Sequence, residues 1–133
     1  MRKSLDRQVR ERARNCCEYC KLPAAISVFT FPIDHIIADQ HGGRTTFENL
    51  ALSCPHDNYH KGPNIAGLDP LTGRLTRLFN PRRQRWNARF AWDGPRLVGK
   101  TTVRRTTIRV LNMNHPEAVR LRWLLIEAGL FPP

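Results

Sequence analysis

One stretch of 30 residues, from 33 to 62, constrains the fold and chemistry of this chain more than any other. It holds an Asp-His pair at Asp34–His35, an Asn-Leu pair at Asn49–Leu50, and a polar run at Cys54–Asn58. Packing alone does not explain so many metal-ligating and acid-base side chains, because cores are built mainly from apolar residues. The stretch therefore predicts a functional site, and the fold has to bring its members together.

The hydrophobic pattern around these residues predicts two strands and a helix. The period-2 alternation of residues 33–37 points Asp34 to one face of a strand and His35 to the other, so we expect the two to have different roles. A second short strand is predicted over Phe47–Leu52, and a short helix from about Pro55 to Lys61. A β-hairpin followed by a helix is a compact scaffold to which a metal can be bound.

The remaining elements follow from periodicity, capping residues and turn residues, and the predicted fold class is α+β. We expect a helix from a Ser4 cap to about Arg14, a strand over Ile26–Phe31, a strand over Arg74–Phe79, a hairpin around Asp93–Gly94–Pro95, and a last helix from an Asn114 N-cap to Ala128. The β-branched residues of Thr101–Leu111 favour a strand, but its apolar residues also fit one face of a helix, and of the two we favour a short helix.

Positive charge is concentrated in one segment. The net charge is +11, yet residues 1–70 hold 9 basic and 8 acidic groups, while residues 71–109 hold 11 basic groups against Asp93 alone. A field of one sign favours a polyanionic partner, because neutralised phosphates release their counterions. Within the segment, Arg82, Arg83 and Arg85 precede an aromatic ring at Trp86, an arrangement suited to phosphate contacts without base specificity.

The composition also sets the expected compartment. No run of 18 apolar residues exists, so we expect no membrane partner. No secretory signal is visible at the N-terminus, so we expect a cytoplasmic protein whose four cysteines are available to a metal rather than paired in disulfides. Cys17-x-x-Cys20 has the spacing of a zinc knuckle, whereas a redox CxxC would need a βαβ context that is missing.

Taken together, Asp34–His35, Asn49–Leu50 and Cys54-x-x-Asp57–Asn58 resemble the HNH endonuclease family over roughly residues 14–62. Members typically show a CxxC, then Asp-His-Ile, a Gly-Gly loop, Asn-Leu, and a second CxxC followed by Asn or His and a basic helix. This chain matches the order and approximate spacing of every element but one.

The resemblance implies a ββα-metal (His-Me finger) core preceded by an N-terminal helix. We expect this nuclease core and its zinc knuckle to occupy residues 1–66, and a basic C-terminal α/β extension, residues 67–133, to pack on it. The resemblance also implies hydrolysis of DNA to products with a 5′-phosphate and a 3′-hydroxyl.

Phosphodiester hydrolysis needs a deprotonated water, a cation near the scissile phosphate and a positioned backbone. His35 is the natural general base because histidine titrates near neutral pH. Asp34 and Asn58 supply hard oxygen ligands suited to Mg²⁺ or a similar cation. By resemblance, Asn49 braces the hairpin so that the His35 ring is held at the right angle.

Other side chains of the helix are further candidates. Some members of the family use an additional histidine there as a metal ligand, which makes His60 and then His56 candidates, with a phosphate contact or a solvated side chain as the alternative. Lys61, near the end of the same helix, is a predicted DNA contact together with the three arginines named above.

The departure from the family pattern is Asp57, which stands where a fourth zinc cysteine is expected. Cys17, Cys20 and Cys54 can still hold Zn²⁺ with Asp57 completing a tetrahedron, since carboxylates are acceptable zinc ligands. Alternatively, His56 or Cys16 fills the fourth place, or zinc is absent and the cysteines are small buried thiols.

The sequence therefore predicts a metal-dependent DNA endonuclease. The rival hypothesis is a zinc-stabilised nucleic-acid-binding module without catalysis. Both use the positive charge, but only the enzyme needs Asp34, His35 and Asn58 together. A third hypothesis is a redox or metal-sensing protein that uses Cys17 and Cys20. This hypothesis does not explain His35 or the basic segment.

Overall fold

The computed structural model describes residues 3–133, so Met1 and Arg2, which begin the predicted core segment 1–66, lie outside the described residues. The helices are α1 (Leu5–Arg12), α2 (Pro55–Lys61), α3 (Thr102–Val110) and α4 (Pro116–Glu127), and the strands are β1 (Ile33–His35), β2 (Leu50–Leu52), β3 (Ala66–Leu68), β4 (Leu75–Arg77), β5 (Phe90–Asp93) and β6 (Arg96–Gly99). This mixture of helices and small antiparallel sheets confirms the α+β class.

The strands form three separate two-stranded antiparallel sheets, β1–β2, β3–β4 and β5–β6. In the first, Asp34 lies opposite Ala51 and His35 opposite Leu50. Helix α2 follows β2 directly, so the predicted hairpin and helix are present in order. The predicted turn at Asp93–Gly94–Pro95 is also confirmed, because Asp93 pairs with Arg96 across it.

Helix α1 forms as predicted from its capping residue. The Ser4 side chain accepts a hydrogen bond from the Arg7 amide, which satisfies one of the free amides of the first turn. Val9 is fully buried, and the helix ends at Ala13. Arg12 reaches across to donate to the carbonyl oxygens of Phe47 and Leu50 at 2.7 and 2.5 Å, so α1 packs on the hairpin.

The predicted strand over Ile26–Phe31 is wrong. A single 3₁₀ turn covers Ala24–Ile26, and the residues after it form bends with no strand pairing. Val28 and Phe29 are 95% and 71% exposed. β-Branched and aromatic residues favour a strand only where a neighbouring strand can pair with them, and here β1 already takes β2 as its partner.

Two predicted strands are shorter than expected. Phe47–Asn49 is a 3₁₀ turn, so only Leu50–Leu52 of the predicted Phe47–Leu52 strand is extended. Likewise, pairing in the Arg74–Phe79 stretch is confined to Leu75–Arg77. The centre of the Arg74–Phe79 strand lies where the alternation predicted it, whereas only the second half of the predicted Phe47–Leu52 strand forms.

Both C-terminal helices are confirmed, but the Asn114 N-cap is wrong. His115 is the N-cap of α4, and its Nδ1 accepts from the Glu117 amide at 3.1 Å. The Asn114 side chain is engaged elsewhere, because it hydrogen-bonds both the amide and the carbonyl of Leu97 at 2.8 Å. It therefore ties β6 to the start of α4 instead of capping the helix.

The buried apolar side chains of both halves of the chain form one cluster. Val9, Tyr19 and Leu52 from the first half belong to it together with Phe79 and Leu111 from the second. The indole Nε1 of Trp86 also donates to the carbonyl oxygen of Tyr19 at 2.6 Å. The division at residue 66 stays a prediction. Between residues 3 and 133, no helix is both long enough and apolar enough to cross a bilayer.

Candidate functional site

Strand β1 and helix α2 line one shallow cavity of about 250 Å³. It is lined by Asp34, His35 and Asn58, together with Asp39 and Gly62. Strand β1 places His35 at its last position, and α2 places Asn58 on its second turn. The fold thus brings together the three polar residues predicted to carry the chemistry.

His35 has one ring nitrogen held by a neighbouring hydroxyl. Its Nε2 lies 2.9 Å from Oγ1 of Thr45, a residue of the loop between β1 and β2. A hydrogen bond on one imidazole nitrogen fixes the ring orientation and favours one tautomer. If Nε2 donates to Thr45, the unprotonated Nδ1 is the nitrogen that can accept a proton from water.

Asn49 ties together both ends of the loop that carries Thr45. Its Oδ1 accepts from the Ile37 amide at 3.0 Å, while its Nδ2 donates to the carbonyl oxygens of Ile37 and Arg44 at 2.9 Å. The loop folds back so closely on the residues after β1 that a Cβ at Gly43 would lie 1.7 Å from the Ile37 oxygen. These contacts make Asn49 a brace for the loop next to His35.

Asp34 lies on the opposite face of the strand and is 6% exposed. Tyr19 donates its hydroxyl to Oδ2 at 2.8 Å, and Nζ of Lys61 lies 3.1 Å from the same oxygen. Burial raises the pKa of Asp34, and the charge of Lys61 partly offsets this rise. Burial together with the adjacent Asp34 carboxylate raises the pKa of Tyr19.

The predicted DNA-contacting residues fall into two groups. Lys61 is only 2% exposed and donates to the His35 carbonyl oxygen as well as to Asp34. Arg82 is paired with Glu18, and burial lowers the pKa of its guanidinium to about 10. Arg83 and Arg85 are exposed. Only these last two present their charges to solvent without a partner carboxylate among the described residues.

His56 and His60 lie outside the cavity that contains His35. Nε2 of His56 is 2.8 Å from the Asn112 carbonyl oxygen, so this ring contacts the turn between α3 and α4. The His60 ring centroid lies 4.4 Å from that of His56. Burial, followed by the neighbouring His56, lowers the pKa of His60. The structure therefore separates these two histidines from Asp34 and Asn58.

A second polar cluster consists of Cys17, Cys20, Cys54 and Asp57, which are all buried. Their ligand atoms lie within 4.8 Å of one another, and the Sγ atoms of Cys20 and Cys54 are 3.7 Å apart. Four ligands around a tetrahedral zinc with Zn–S distances of about 2.3 Å would place two sulfurs about 3.8 Å apart. The cluster is therefore compatible with zinc, and Asp57 rather than His56 or Cys16 is its fourth member.

Local backbone geometry prepares this cluster for an anionic sulfur. The Cys20 amide points at Sγ of Cys17 at 3.5 Å, and the Asp57 amide points at Sγ of Cys54 at 3.4 Å. Burial raises the pKa of Asp57, and the nearby Cys17 raises it further. Four buried acidic groups cannot all stay ionised without a positive charge, so this donor set suits a divalent cation.

Sequence reasoning missed Thr45 and Tyr19 as members of the site. Tyr19 sits between the two cysteines of the knuckle, which predicts a turn and gives no sign that its hydroxyl reaches Asp34. Thr45 stands in a loop whose length alone does not place it beside His35. Such contacts depend on how β1, the loop and the knuckle pack together.

Residues 17–64 match the model of the family described as HNH endonuclease. This match confirms the resemblance, and it spans the knuckle, the β1–β2 hairpin and α2. Members of the family are usually endonucleases that bind nucleic acid and use a divalent metal. No curated protein and no solved structure matches the chain.

Proposed function

We propose that this protein is a metal-dependent endonuclease that hydrolyses DNA phosphodiester bonds, with a ββα-metal core formed by β1, β2 and α2. The observation that carries the proposal is the shared cavity of Asp34, His35 and Asn58 within the segment that matches the HNH model. An acid-base residue next to two residues that carry oxygen donors suits attack of water on a phosphodiester.

In this proposal His35 is the general base. Thr45 holds Nε2, so Nδ1 accepts the proton of the attacking water. Asn49 keeps the loop, and with it the Thr45 hydroxyl, at a fixed distance from the ring. The imidazole is thereby oriented before the substrate binds, which lowers the entropic cost of reaching the reactive geometry.

Asp34 and Asn58 would hold Mg²⁺ or a similar divalent cation, which supplies positive charge next to the scissile phosphate when bound. The donor set fits a hard cation because both side chains offer oxygen. The Lys61 ammonium lies 3.1 Å from the Asp34 carboxylate, so a bound cation would have to share this carboxylate with Lys61. Lys61 helps to keep Asp34 ionised despite its burial.

The basic segment 71–109 is assigned to the DNA backbone. Arg83 shares a groove with Ile36 and Ile37, the two residues that follow His35. Phosphates bound by exposed Arg83 would run beside the proposed catalytic cavity, and exposed Arg85 would bind phosphates further along the same segment. A phosphate that reaches Lys61 or Arg82 would have to share them with Asp34 and Glu18, so we assign these two a smaller contribution to affinity.

The test is cleavage of supercoiled plasmid by purified protein with Mg²⁺ or Mn²⁺, next to reactions without added metal and reactions stopped with EDTA. We expect metal-dependent nicking or linearisation. His35→Ala should lower the rate by about 10²- to 10⁴-fold, because it removes the general base. Its DNA affinity and its melting temperature should stay close to those of the wild type, because His35 is not part of the buried core.

The control variant is His41→Ala, in the same loop region and absent from the residues that line the cavity. It should cleave at the wild-type rate. Full cleavage by His35→Ala would contradict the assignment of the base. Gel-shift binding without cleavage on several substrates and metals would contradict the enzyme altogether.

One observation favours the alternative, a zinc-stabilised nucleic-acid-binding module without catalysis. Both oxygens of Asp34 lie within reach of Lys61, and one also accepts from Tyr19, so this carboxylate is already satisfied inside the protein. The plasmid assay separates the two functions, since the binding module retards DNA without cutting it.

A further inference from the structure

The β3–β4 hairpin exposes three leucines at its far end. Leu68, Leu71 and Leu75 are 55%, 74% and 77% exposed. Leu68 and Leu75 are direct cross-strand partners, and Leu71 lies in the turn that joins the two strands. Single exposed leucines are common on protein surfaces, but three on one short hairpin form a patch that calls for a partner.

The direction of this patch follows from the strand register. Gly67 and Thr76 form the neighbouring pair, and a Cβ at Gly67 would lie 2.5 Å from Cγ2 of Val110 in α3. This pair therefore faces the body of the protein. Because side chains alternate between the two faces of a strand, the Leu68–Leu75 pair points away from it.

The turn that carries Leu71 is held rigidly. The buried Asp69 carboxylate accepts from the Thr72 hydroxyl at 2.7 Å and from the Leu71 and Thr72 amides. Arg105 of α3 binds both of its oxygens at 2.9 Å. These hydrogen bonds lower the pKa of Asp69, led by the bond from Arg105, so the carboxylate stays ionised and the brace stays intact at neutral pH.

The charge around the leucines has a single sign. Arg74 and Arg77 are exposed on the second strand of the hairpin, whereas Asp69, its one acidic residue, is neutralised by Arg105. A groove of about 340 Å³ joins the base of the hairpin, at Ile65 and Arg77, to Arg83 and to Ile37 close to His35. The hairpin that carries the leucines therefore starts at the surface assigned to DNA.

We propose that the β3–β4 hairpin is a wedge that enters a groove of duplex DNA, with its leucines against sugars and base edges and with Arg74 and Arg77 on the flanking phosphates. This inference rests on the proposed function for its DNA partner. Many proteins bind a DNA groove with little sequence specificity by inserting apolar side chains while neighbouring basic side chains contact the phosphates. A rigid hairpin suits this role because little conformational entropy is lost on binding.

The experiment compares Leu71→Ser/Leu75→Ser with a matched pair, Leu124→Ser/Leu130→Ser, whose leucines are 48% and 55% exposed outside the hairpin. Affinity for a fluorescently labelled duplex is measured by anisotropy at several salt concentrations without added Mg²⁺. We expect the hairpin pair to raise Kd by about tenfold, as loss of apolar contact with the groove implies. Its salt dependence should match that of the wild type, because no charge is removed.

Arg74→Gln/Arg77→Gln provides the complementary result. It should reduce the slope of log K against log salt by about 2, because two phosphate contacts are lost. Equal Kd values for the hairpin pair and the matched pair would overturn the inference. It would also be overturned if sedimentation showed a wild-type dimer that Leu71→Ser/Leu75→Ser dissociates with no effect on DNA affinity, because the leucines would then contact a second copy.

Plasmid cleavage separates failure of this inference from failure of the proposed function. Metal-dependent cleavage by the wild type, with equal duplex affinity for both leucine pairs, would overturn the wedge and leave the nuclease in place. Leucine-dependent binding without any cleavage would support the wedge and overturn the nuclease. Lack of DNA binding by the wild type would overturn both.

Discussion

Thr45 orients the proposed general base from outside its own strand. It contributes one hydroxyl, 2.9 Å from His35 Nε2, and it sits in a loop tied to β1 by Asn49. A free imidazole would rotate and exchange tautomers, so part of its population would present the wrong nitrogen to water. The orientation of His35 therefore contributes to the proposed chemistry in addition to its presence.

Thr45→Val should lower kcat for DNA cleavage by about tenfold to a hundredfold, because a misplaced base spends less time in the reactive geometry. DNA affinity should not change, since the hydroxyl contacts His35 and not the predicted phosphate contacts. Thr45→Ser keeps the hydroxyl and should retain most of the activity. Single-turnover cleavage and anisotropy binding measure the two effects separately, and equal kcat values for the valine and serine variants would contradict this role.

At the scale of single residues, the sequence predicted which side chains carry the chemistry better than it predicted which residues they contact. The alternation of residues 33–37 correctly separated Asp34 from His35, because period-2 geometry needs no knowledge of the rest of the fold. The partners of Asp34 could not be predicted in the same way. Tyr19 and Lys61 come from the knuckle and from the end of α2, and they meet Asp34 only when both pack beneath β1.

Among the elements, the knuckle and the first turn of α2 form the cysteine cluster. One pair of ligands comes from the turn at Cys17 and Cys20, and the other from Cys54 and Asp57 at the start of the helix. We propose that zinc bound here fixes the knuckle against α2. It would thereby hold the helix that carries Asn58 at the correct distance from β1.

Asp57→Cys should raise the affinity for zinc, because a thiolate is a softer ligand than a carboxylate and completes a Cys₄ site. Competition with a chromophoric chelator measures the affinity, and metal analysis of the purified protein gives the stoichiometry. Asp57→Ala, which removes the ligand, should lower both affinity and melting temperature. A protein purified with no zinc, and indifferent to added zinc in thermal melts, would contradict a structural metal here.

Elements with strong local signals were predicted well, and elements that depend on a partner were not. The Ser4 cap and the Asp93–Gly94–Pro95 turn correctly predicted α1 and the β5–β6 hairpin, since both signals are local. The strand over Ile26–Phe31 failed because strand propensity does not supply a pairing edge. The Asn114 cap failed because a long-range contact with Leu97 takes that side chain.

For the molecule as a whole, the uneven charge predicts a surface that contacts DNA. The fold then shows which of the basic side chains are exposed. Of the three arginines predicted to contact DNA together, Arg82 is half-buried and paired with Glu18, while Arg83 and Arg85 are exposed. Counting charges cannot distinguish an arginine that pairs inside the protein from one that faces solvent. The fold therefore ranks residues that the sequence treats as equal.

The double variant Arg83→Gln/Arg85→Gln should bind all duplex sequences more weakly. The slope of log K against log salt should fall by about 2, because two phosphate contacts are lost. Arg120→Gln, an exposed site on α4, is the control for loss of surface charge. Arg82→Gln should instead lower the melting temperature, because it leaves Glu18 buried without its partner. If the double variant bound DNA with unchanged affinity, the DNA-binding surface would have to lie elsewhere on the protein.

The shared apolar cluster has a practical consequence for protein engineering. Phe79 and Leu111 pack in the same interior as Tyr19 and Leu52, and Trp86 donates a hydrogen bond directly to the knuckle. The segment 17–64 alone would present a large part of this interior to water. A chimera that fuses this nuclease segment to another DNA-binding protein should therefore include the second half of the chain. That half completes the hydrophobic core of the segment.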